Sequence, residues 1–155
     1  MKALPKVAWL LGYGGLIPFF ALTLVLLAGD GLLPLDIQYA HLAYWLAAYA
    51  AVILSFLGAV HWGVVLGMQE KLTSATSSTL LVYSVIPAIL AWFALWLPAQ
   101  TALLTLAGLV LAAYLADRVL LFPHVNSNYA HLRLHLTVVV SLLLIAAAVA
   151  GLPSE

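Results

Sequence analysis

Five apolar stretches, each about as long as a membrane-spanning helix, constrain the fold of this chain more than any other feature. A helix needs about 20 consecutive apolar residues to cross the hydrocarbon core of a bilayer. Unbroken apolar runs favour helices over the alternating pattern of a membrane β-barrel. The predicted helices cover residues 7–28, 39–67, 79–97, 101–121 and 131–152. The sequence therefore predicts an all-α integral membrane protein, a five-transmembrane-helix bundle that forms one domain over residues 1–155.

The composition excludes a water-soluble fold. Hydrophobic residues make up 66% of the chain and charged residues only 6%. A soluble domain typically has about 25% charged residues, and a chain of this size has too little interior to bury the excess apolar surface. The lipid bilayer is therefore the expected partner of most of the chain. A nucleic-acid partner is not expected because no basic patch is present.

The basic residues all lie on one side of the predicted bundle. The N-terminus, the second connection and the fourth connection hold Lys2, Lys6, Lys71, Arg118 and Arg133. The charged residues on the opposite side are all acidic, namely Asp30, Asp36 and Glu155. Because positively charged segments face the cytoplasm, we predict a cytoplasmic N-terminus and a C-terminus on the opposite face. The side with the basic residues is called the basic side below.

The second predicted helix carries a row of small residues at every fourth position. Its central members are Ala47, Ala51, Ser55, Ala59 and Gly63. Small residues at this spacing let transmembrane helices approach each other closely. Each step of four residues turns about 40° beyond a full turn, so the row winds around the helix. We expect it to form helix-packing surfaces for more than one neighbour.

Polar residues within the lipid-embedded part concentrate in the half of the bundle nearest the basic side. Such residues are costly in hydrocarbon and by default suggest function. The candidate polar cluster or ligand-binding set consists of Ser55, His61, Trp62, Tyr83, Tyr114, Asp117, Arg118, Arg133 and Thr137. A purely structural interpretation stays open, because Pro18 and Pro87 free backbone carbonyls that nearby polar groups can satisfy.

Two functional interpretations of this set involve protons or membrane-soluble ligands. His61, Asp117 and Tyr114 could form a relay on the basic side, as in a proton- or ion-coupled small carrier or channel. Arg118 and Arg133, together with His61, could hold a quinone or a lipid head group. Basic pockets on the cytoplasmic side bind anionic head groups, which favours the second interpretation.

Histidines offer a metal- or haem-binding alternative. His131 and His135 lie four residues apart and share a helix face, and His61 could face them. Imidazoles are good metal ligands. The absence of cysteine excludes thiolate ligands and Cys nucleophiles. No serine-hydrolase, zinc-protease or phosphate-loop motif is present, so we expect no enzymatic activity, and the sequence specifies no cofactor.

Three blocks of sequence resemble a known family. The blocks are S-F-L-G-A-V-H-W-G at 55–63, G-G-L-I-P-F at 14–19, and Tyr129 with Leu132-Arg133 and Leu136-Thr137. They are similar to the domain-of-unknown-function family 3429, small bacterial inner-membrane proteins with a mitochondrial transmembrane relative in animals. The matching positions are Pro18, Ser55, Gly58, His61, Trp62, Gly63, Arg133 and Thr137. The resemblance implies a multi-pass protein of the cell inner membrane, and implies no reaction.

The favoured function is a non-enzymatic membrane partner or assembly component that acts beside another membrane protein complex. A lipid or a quinone near the cytoplasmic side is its candidate ligand. The alternatives are a carrier or channel that uses His61, and a haem- or metal-binding membrane protein.

Overall fold

Residues 4–28 and 39–151 form a bundle of α-helices in the structure, a computed structural model that describes these two ranges. The helices are α1 (Lys6–Gly14), α2 (Ile17–Ala28), α3 (Tyr39–Gly67), α4 (Ser74–Ala94), α5 (Ala99–Leu120) and α6 (Ser127–Ala150), with a 3-10 turn at Phe122–His124. With α1 and α2 taken together, these ranges contain five helical segments long and apolar enough to cross a membrane. The predicted all-α fold with five spans is confirmed.

Two helices begin earlier than the apolar runs predict, because polar caps precede them. Before α4, the Thr73 hydroxyl accepts a hydrogen bond from the Thr76 N–H at 3.2 Å. Before α6, the Asn126 side chain accepts one from the Asn128 N–H at 2.9 Å. Such side chains satisfy backbone donors that a helix start leaves open. The predicted first connection at residues 29–38, the end of the last helix at 152, Lys2 and Glu155 lie outside the described residues.

The first span is interrupted between α1 and α2, where the sequence predicts one continuous helix. The interruption at Gly15 and Leu16 comes just before Pro18, which lacks the N–H needed to continue the helical hydrogen-bond ladder. Tyr49 of α3 donates its hydroxyl hydrogen to the Gly15 carbonyl at 3.0 Å. The Gly15 carbonyl at this break therefore has a hydrogen-bond partner on a neighbouring helix, as backbone groups within a membrane require.

Helix α3 is the central element and packs against α2, α4, α5 and α6. Of the predicted row of small residues, Ala47 and Ala51 are buried in the core. Ser55, Ala59 and Gly63 lie on the outer surface of the bundle. The row therefore leaves the interior halfway along α3, as expected for a row that winds around the helix axis.

Helix α3 approaches α4 very closely at Gly58, outside that row. A Cβ atom at this position would lie 2.1 Å from the Ser84 carbonyl oxygen of α4. No side chain fits without separating the two backbones. Gly58 thus fixes how closely α3 and α4 pack next to His61.

The ends of the helices opposite the basic side are tied to the last turns of α6. Tyr39 of α3 donates its hydroxyl hydrogen to the Ala147 carbonyl at 2.9 Å. Gln100 of α5 donates to the Ala148 carbonyl at 3.0 Å. These two hydrogen bonds hold α3, α5 and α6 together at the end of the bundle opposite the basic side.

The outer surface of the bundle is apolar. Large side chains such as Phe56, Leu115 and Val119 are more than half exposed. In water this exposure would be unfavourable by about 25 cal/mol per Å² of apolar surface, but in lipid it carries no such penalty. The helices therefore contact the bilayer directly.

We expect Gly58→Ala to destabilise the bundle, because the new methyl group would overlap the Ser84 carbonyl. Overpacking of this kind typically costs about 1–3 kcal/mol. The matched control is Gly63→Ala in the same helix, where an added Cβ has no neighbour within 4 Å. Thermal unfolding of both variants in mild detergent measures the difference. Equal melting temperatures for the two variants would contradict this account of α3–α4 packing.

Candidate functional site

Three ionisable side chains from three helices meet in the interior near the basic side. His61 of α3 places its Nε2 atom 3.4 Å from Asp117 Oδ1 of α5. Arg133 of α6 places its Nε atom 3.2 Å from Asp117 Oδ2. Their exposed fractions are 1%, 2% and 3% for His61, Asp117 and Arg133. These three residues are called the charged cluster, and Asp117 is its shared partner.

The α5–α6 hairpin accounts for the pairing of Asp117 with Arg133. Asp117 lies in the last turn of α5, and Arg133 lies within the first two turns of α6. The 3-10 turn at Phe122–His124, which contains a proline, joins the two helices with little intervening chain. Reversal of the chain over so short a connection places the two side chains at the same depth. Helix α3 packs against this hairpin and adds His61.

Arg133 is only partly satisfied by its neighbours. Its Nε donates to Asp117, and its Nη1 donates to the Thr137 hydroxyl one turn later on α6. The remaining nitrogen, Nη2, is buried and has no hydrogen-bond partner among the residues that the structure describes. An unsatisfied buried donor costs about 1–3 kcal/mol, and more when it is charged. Arg133 therefore has the capacity to bind an acceptor.

His61 faces an acceptor at each ring nitrogen. Its Nδ1 lies 3.2 Å from the Gly58 carbonyl oxygen, one turn earlier on α3. Its Nε2 is close to Asp117 but is not aligned for a hydrogen bond. The ring of Tyr83 on α4 contacts the imidazole edge to face, with ring centroids 5.0 Å apart. The Tyr83 hydroxyl donates to the Ala113 carbonyl at 3.5 Å.

The structure brings five of the nine predicted polar residues together and leaves four apart. The five are His61, Tyr83, Asp117, Arg133 and Thr137. Trp62 instead donates to the Ser84 hydroxyl at 2.8 Å, and Ser55 donates to the Ala51 carbonyl within its own helix at 2.9 Å. Tyr114 contacts Phe122 edge to face, and Arg118 is exposed.

The histidines proposed as metal or haem ligands do not form a ligand set. His131 and His135 are exposed, and His135 Nδ1 lies 3.2 Å from the hydroxyl of Tyr13 on α1. Over residues 4–28 and 39–151, no three His, Cys, Asp or Glu side chains are grouped closely enough to hold a metal ion.

An apolar cleft of about 340 Å³ lies beside the charged cluster, between α1, α3 and α6. Its walls are aliphatic and aromatic side chains, including Leu11 and Phe56, with Gly12 on α1. Its two polar side chains are Arg133 and Tyr129 of α6. A second cavity of about 110 Å³ shares Leu11, Gly12, Phe56, Leu57 and Leu136 with it. The two cavities together are called the cleft.

Sequence reasoning missed the cleft because nearly all its lining residues are apolar and they come from several separate helices. Gly12 is the signal that could have found it. A Cβ atom there would lie 3.3 Å from the side chains of Leu132 and Leu136. The absence of a side chain at this position lets α1 pack closely on α6 at the wall of the cleft.

We expect Asp117→Asn to destabilise the protein strongly, because Arg133 would lose its buried counter-charge. Breaking a buried ion pair by neutralising one partner typically costs about 3–5 kcal/mol. The matched control is Arg118→Gln at the neighbouring, exposed position, where a change within about 0.5 kcal/mol is expected. Thermal unfolding in mild detergent compares the variants. A similar small effect for both substitutions would show that the charged cluster does not hold α5 and α6 together.

Comparison with known proteins supports the resemblance seen in the sequence. The pattern of the family described as "Protein of unknown function (DUF3429)" matches residues 4–149. A relative, Transmembrane protein 69 of Xenopus tropicalis, is 37% identical over 142 residues, which cover 90% of this chain and 52% of the relative. The chain thus spans about half the length of that relative. No solved structure matches the chain. With nearly its whole length matched, this multi-pass membrane protein belongs to the DUF3429 family.

Proposed function

We propose that this protein is a non-enzymatic membrane component that binds an amphipathic molecule, a lipid or a quinone, in the cleft near the basic side. The observation that carries the proposal is the buried Nη2 atom of Arg133, which lacks an acceptor in a side chain that lines an apolar cleft. Both candidate ligands share the matching chemistry, namely an apolar body with an acceptor oxygen at one end.

The lining of the cleft favours an apolar ligand body. The larger of its two cavities, about 340 Å³, lies by itself within the range of about 300–1,000 Å³ typical of small-molecule sites. Leu11 and Phe56, which line it, are both more than half exposed on the outer surface of the bundle. A molecule dissolved in the bilayer can therefore reach the cleft without crossing the bundle interior.

The polar end of the cleft favours an acceptor group on the ligand. Asp117 and Thr137 hold the Arg133 guanidinium through Nε and Nη1, so its orientation is fixed before a ligand arrives. A hydrogen bond to a charged group contributes about 1.5–3 kcal/mol. Such a bond would orient the ligand with its acceptor toward α6 and its apolar body toward α1 and α3.

We expect Gly12→Leu to fill the cleft and weaken ligand binding. The new side chain would compete with the ligand body for the space beside Leu132 and Leu136. The loss of one buried apolar segment, about 1.5–3 kcal/mol, corresponds to about tenfold or more in affinity. Native mass spectrometry of protein taken from cell membranes into nanodiscs measures the bound amphiphile.

The matched control for this experiment is Gly14→Leu, in the same helix, where an added Cβ has no neighbour within 4 Å. The control is expected to keep the occupancy of the unmodified protein. The proposal fails if no amphiphile accompanies the unmodified protein, or if both variants bind it equally.

A second candidate function, proton movement, is favoured by a row of buried polar groups along α6. Arg133, Thr137 and Ser141 are buried at four-residue spacing, so they share one face of the helix. Further along α6, the Thr23 hydroxyl of α2 donates to the Leu143 carbonyl at 3.4 Å. Polar groups thus extend from the charged cluster toward the middle of the membrane, as a proton relay requires.

For this second function, we expect His61→Ala to abolish a pH-driven proton flux in liposomes. In this mechanism His61 is the side chain that passes protons to the polar row on α6. His131→Ala, at an exposed histidine of α6, is expected to leave the flux unchanged. A pH-sensitive dye inside the vesicles gives the measurement. The absence of flux from the unmodified protein would eliminate this candidate.

Two further parts of the proposal concern the surroundings of the protein. Association with another membrane protein complex stays a prediction, and so does location in the cell inner membrane. The five membrane-spanning segments support a membrane location in general.

A further inference from the structure

The geometry points to an anionic, single-chain amphiphile as the occupant of the cleft, bound together with a proton on His61. The inference rests on the proposed function of the cleft and specifies the class of its ligand. The head group would be a monoanion such as a carboxylate, placed against Arg133, and the alkyl chain would lie along the apolar walls.

Each neutral tautomer of His61 leaves one of its ring nitrogens with an unfavourable contact. A neutral imidazole has one N–H and one bare lone pair. With the hydrogen on Nδ1, the Gly58 carbonyl is satisfied, but the Nε2 lone pair faces Asp117 Oδ1 at 3.4 Å. With the hydrogen on Nε2, the Nδ1 lone pair faces the Gly58 carbonyl at 3.2 Å. Only the imidazolium makes both contacts attractive.

The groups that face His61 from the neighbouring helices leave Asp117 as its one carboxylate. Helix α4 contributes the Tyr83 ring, whose hydroxyl hydrogen is directed to a carbonyl of α5. Helix α5 contributes Asp117, and α6 contributes Arg133 on the far side of that carboxylate. The Asp117 carboxylate is therefore shared between two basic groups.

Protonation of His61 gives the charged cluster one net positive charge, from two cations and one carboxylate. An unbalanced charge is costly inside a lipid-embedded bundle. The other acidic residue within residues 4–28 and 39–151 is Glu70, which is exposed beyond the end of α3. An anion in the cleft would balance the charge and would also give Arg133 Nη2 its missing acceptor. Proton and anion are therefore expected to bind together.

The shape of the cleft favours a single alkyl chain. Its smaller cavity, about 110 Å³, is lined by Phe19 and Val140 and lies toward the middle of the membrane. The larger cavity holds Arg133 and Tyr129 at the basic side. A head group at Arg133 would thus direct its chain into the smaller cavity, whose limited volume favours one chain.

The test compares two probes of equal chain length in nanodiscs of zwitterionic lipid, a long-chain alkyl sulfonate and the corresponding alcohol. A sulfonate stays charged at every pH used, so any pH dependence belongs to the protein. Because the complex holds one more proton than the free protein, lower pH favours binding. We expect sulfonate affinity to rise between pH 8 and pH 6, by up to about tenfold per pH unit, and alcohol affinity to stay constant.

Variants assign the proton to its residue. His61→Gln keeps a neutral polar side chain, and the affinity for the sulfonate should become independent of pH. His131→Gln, at an exposed histidine, should keep the pH dependence of the unmodified protein. Retained alcohol binding and a cooperative thermal transition show that a variant is folded. The unmodified protein tests the inference by itself if His61→Gln does not fold.

The possible outcomes separate the inference from the function on which it rests. If the sulfonate and the alcohol bind equally, the cleft does not select an anion. If sulfonate binding does not change with pH, no proton binds with the anion. Either result shows that the inference is wrong. If neither probe binds, or if Gly12→Leu weakens neither, the proposed function of the cleft is wrong as well.

Discussion

The position of Asp117 between two basic side chains is the interaction on which this bundle depends. Apolar contacts alone hold helices in register only weakly within lipid, because they replace equally apolar contacts with lipid tails. A carboxylate buried in hydrocarbon requires partners, and Asp117 finds them on α3 and α6. One side chain therefore links three of the helices at a single depth, and the cleft lies directly beside this link.

Glycines set the spacing of the helices around that link. At Gly58 the backbones of α3 and α4 meet, which presses the Tyr83 ring of α4 against the His61 imidazole. At Gly12 the missing side chain lets α1 lie close to Leu132 and Leu136 of α6. The two positions differ in what they tolerate, because an added Cβ would lie 2.1 Å from a backbone oxygen at Gly58 but 3.3 Å from flexible leucine side chains at Gly12.

The sequence predicted the depth of each residue along the bundle better than the direction in which its side chain points. Apolar run lengths gave the five spans, and His61, Asp117 and Arg133, which the sequence placed in the same half of the bundle, meet in the structure. Depth follows from position along a helix, at about 1.5 Å per residue. Direction depends on how each helix is rotated against its neighbours. Sequence reasoning therefore could not exclude Arg118 from the predicted polar set, although its side chain is exposed and only its neighbour Asp117 is buried. For the same reason it could not find the cleft.

The pairing within the α5–α6 hairpin has a consequence for how the protein enters the membrane. Insertion of a lone Asp or Arg at the centre of a helix costs about 2.5–3.5 kcal/mol on the scale measured for translocon-mediated insertion. Asp117 and Arg133 are only 16 residues apart along the chain. They can therefore neutralise each other as soon as these two helices enter together. When the protein inserts, Asp117 and Arg133 can thus balance each other's charge within the α5–α6 hairpin. Helix α3, which precedes this hairpin in the chain, then adds His61.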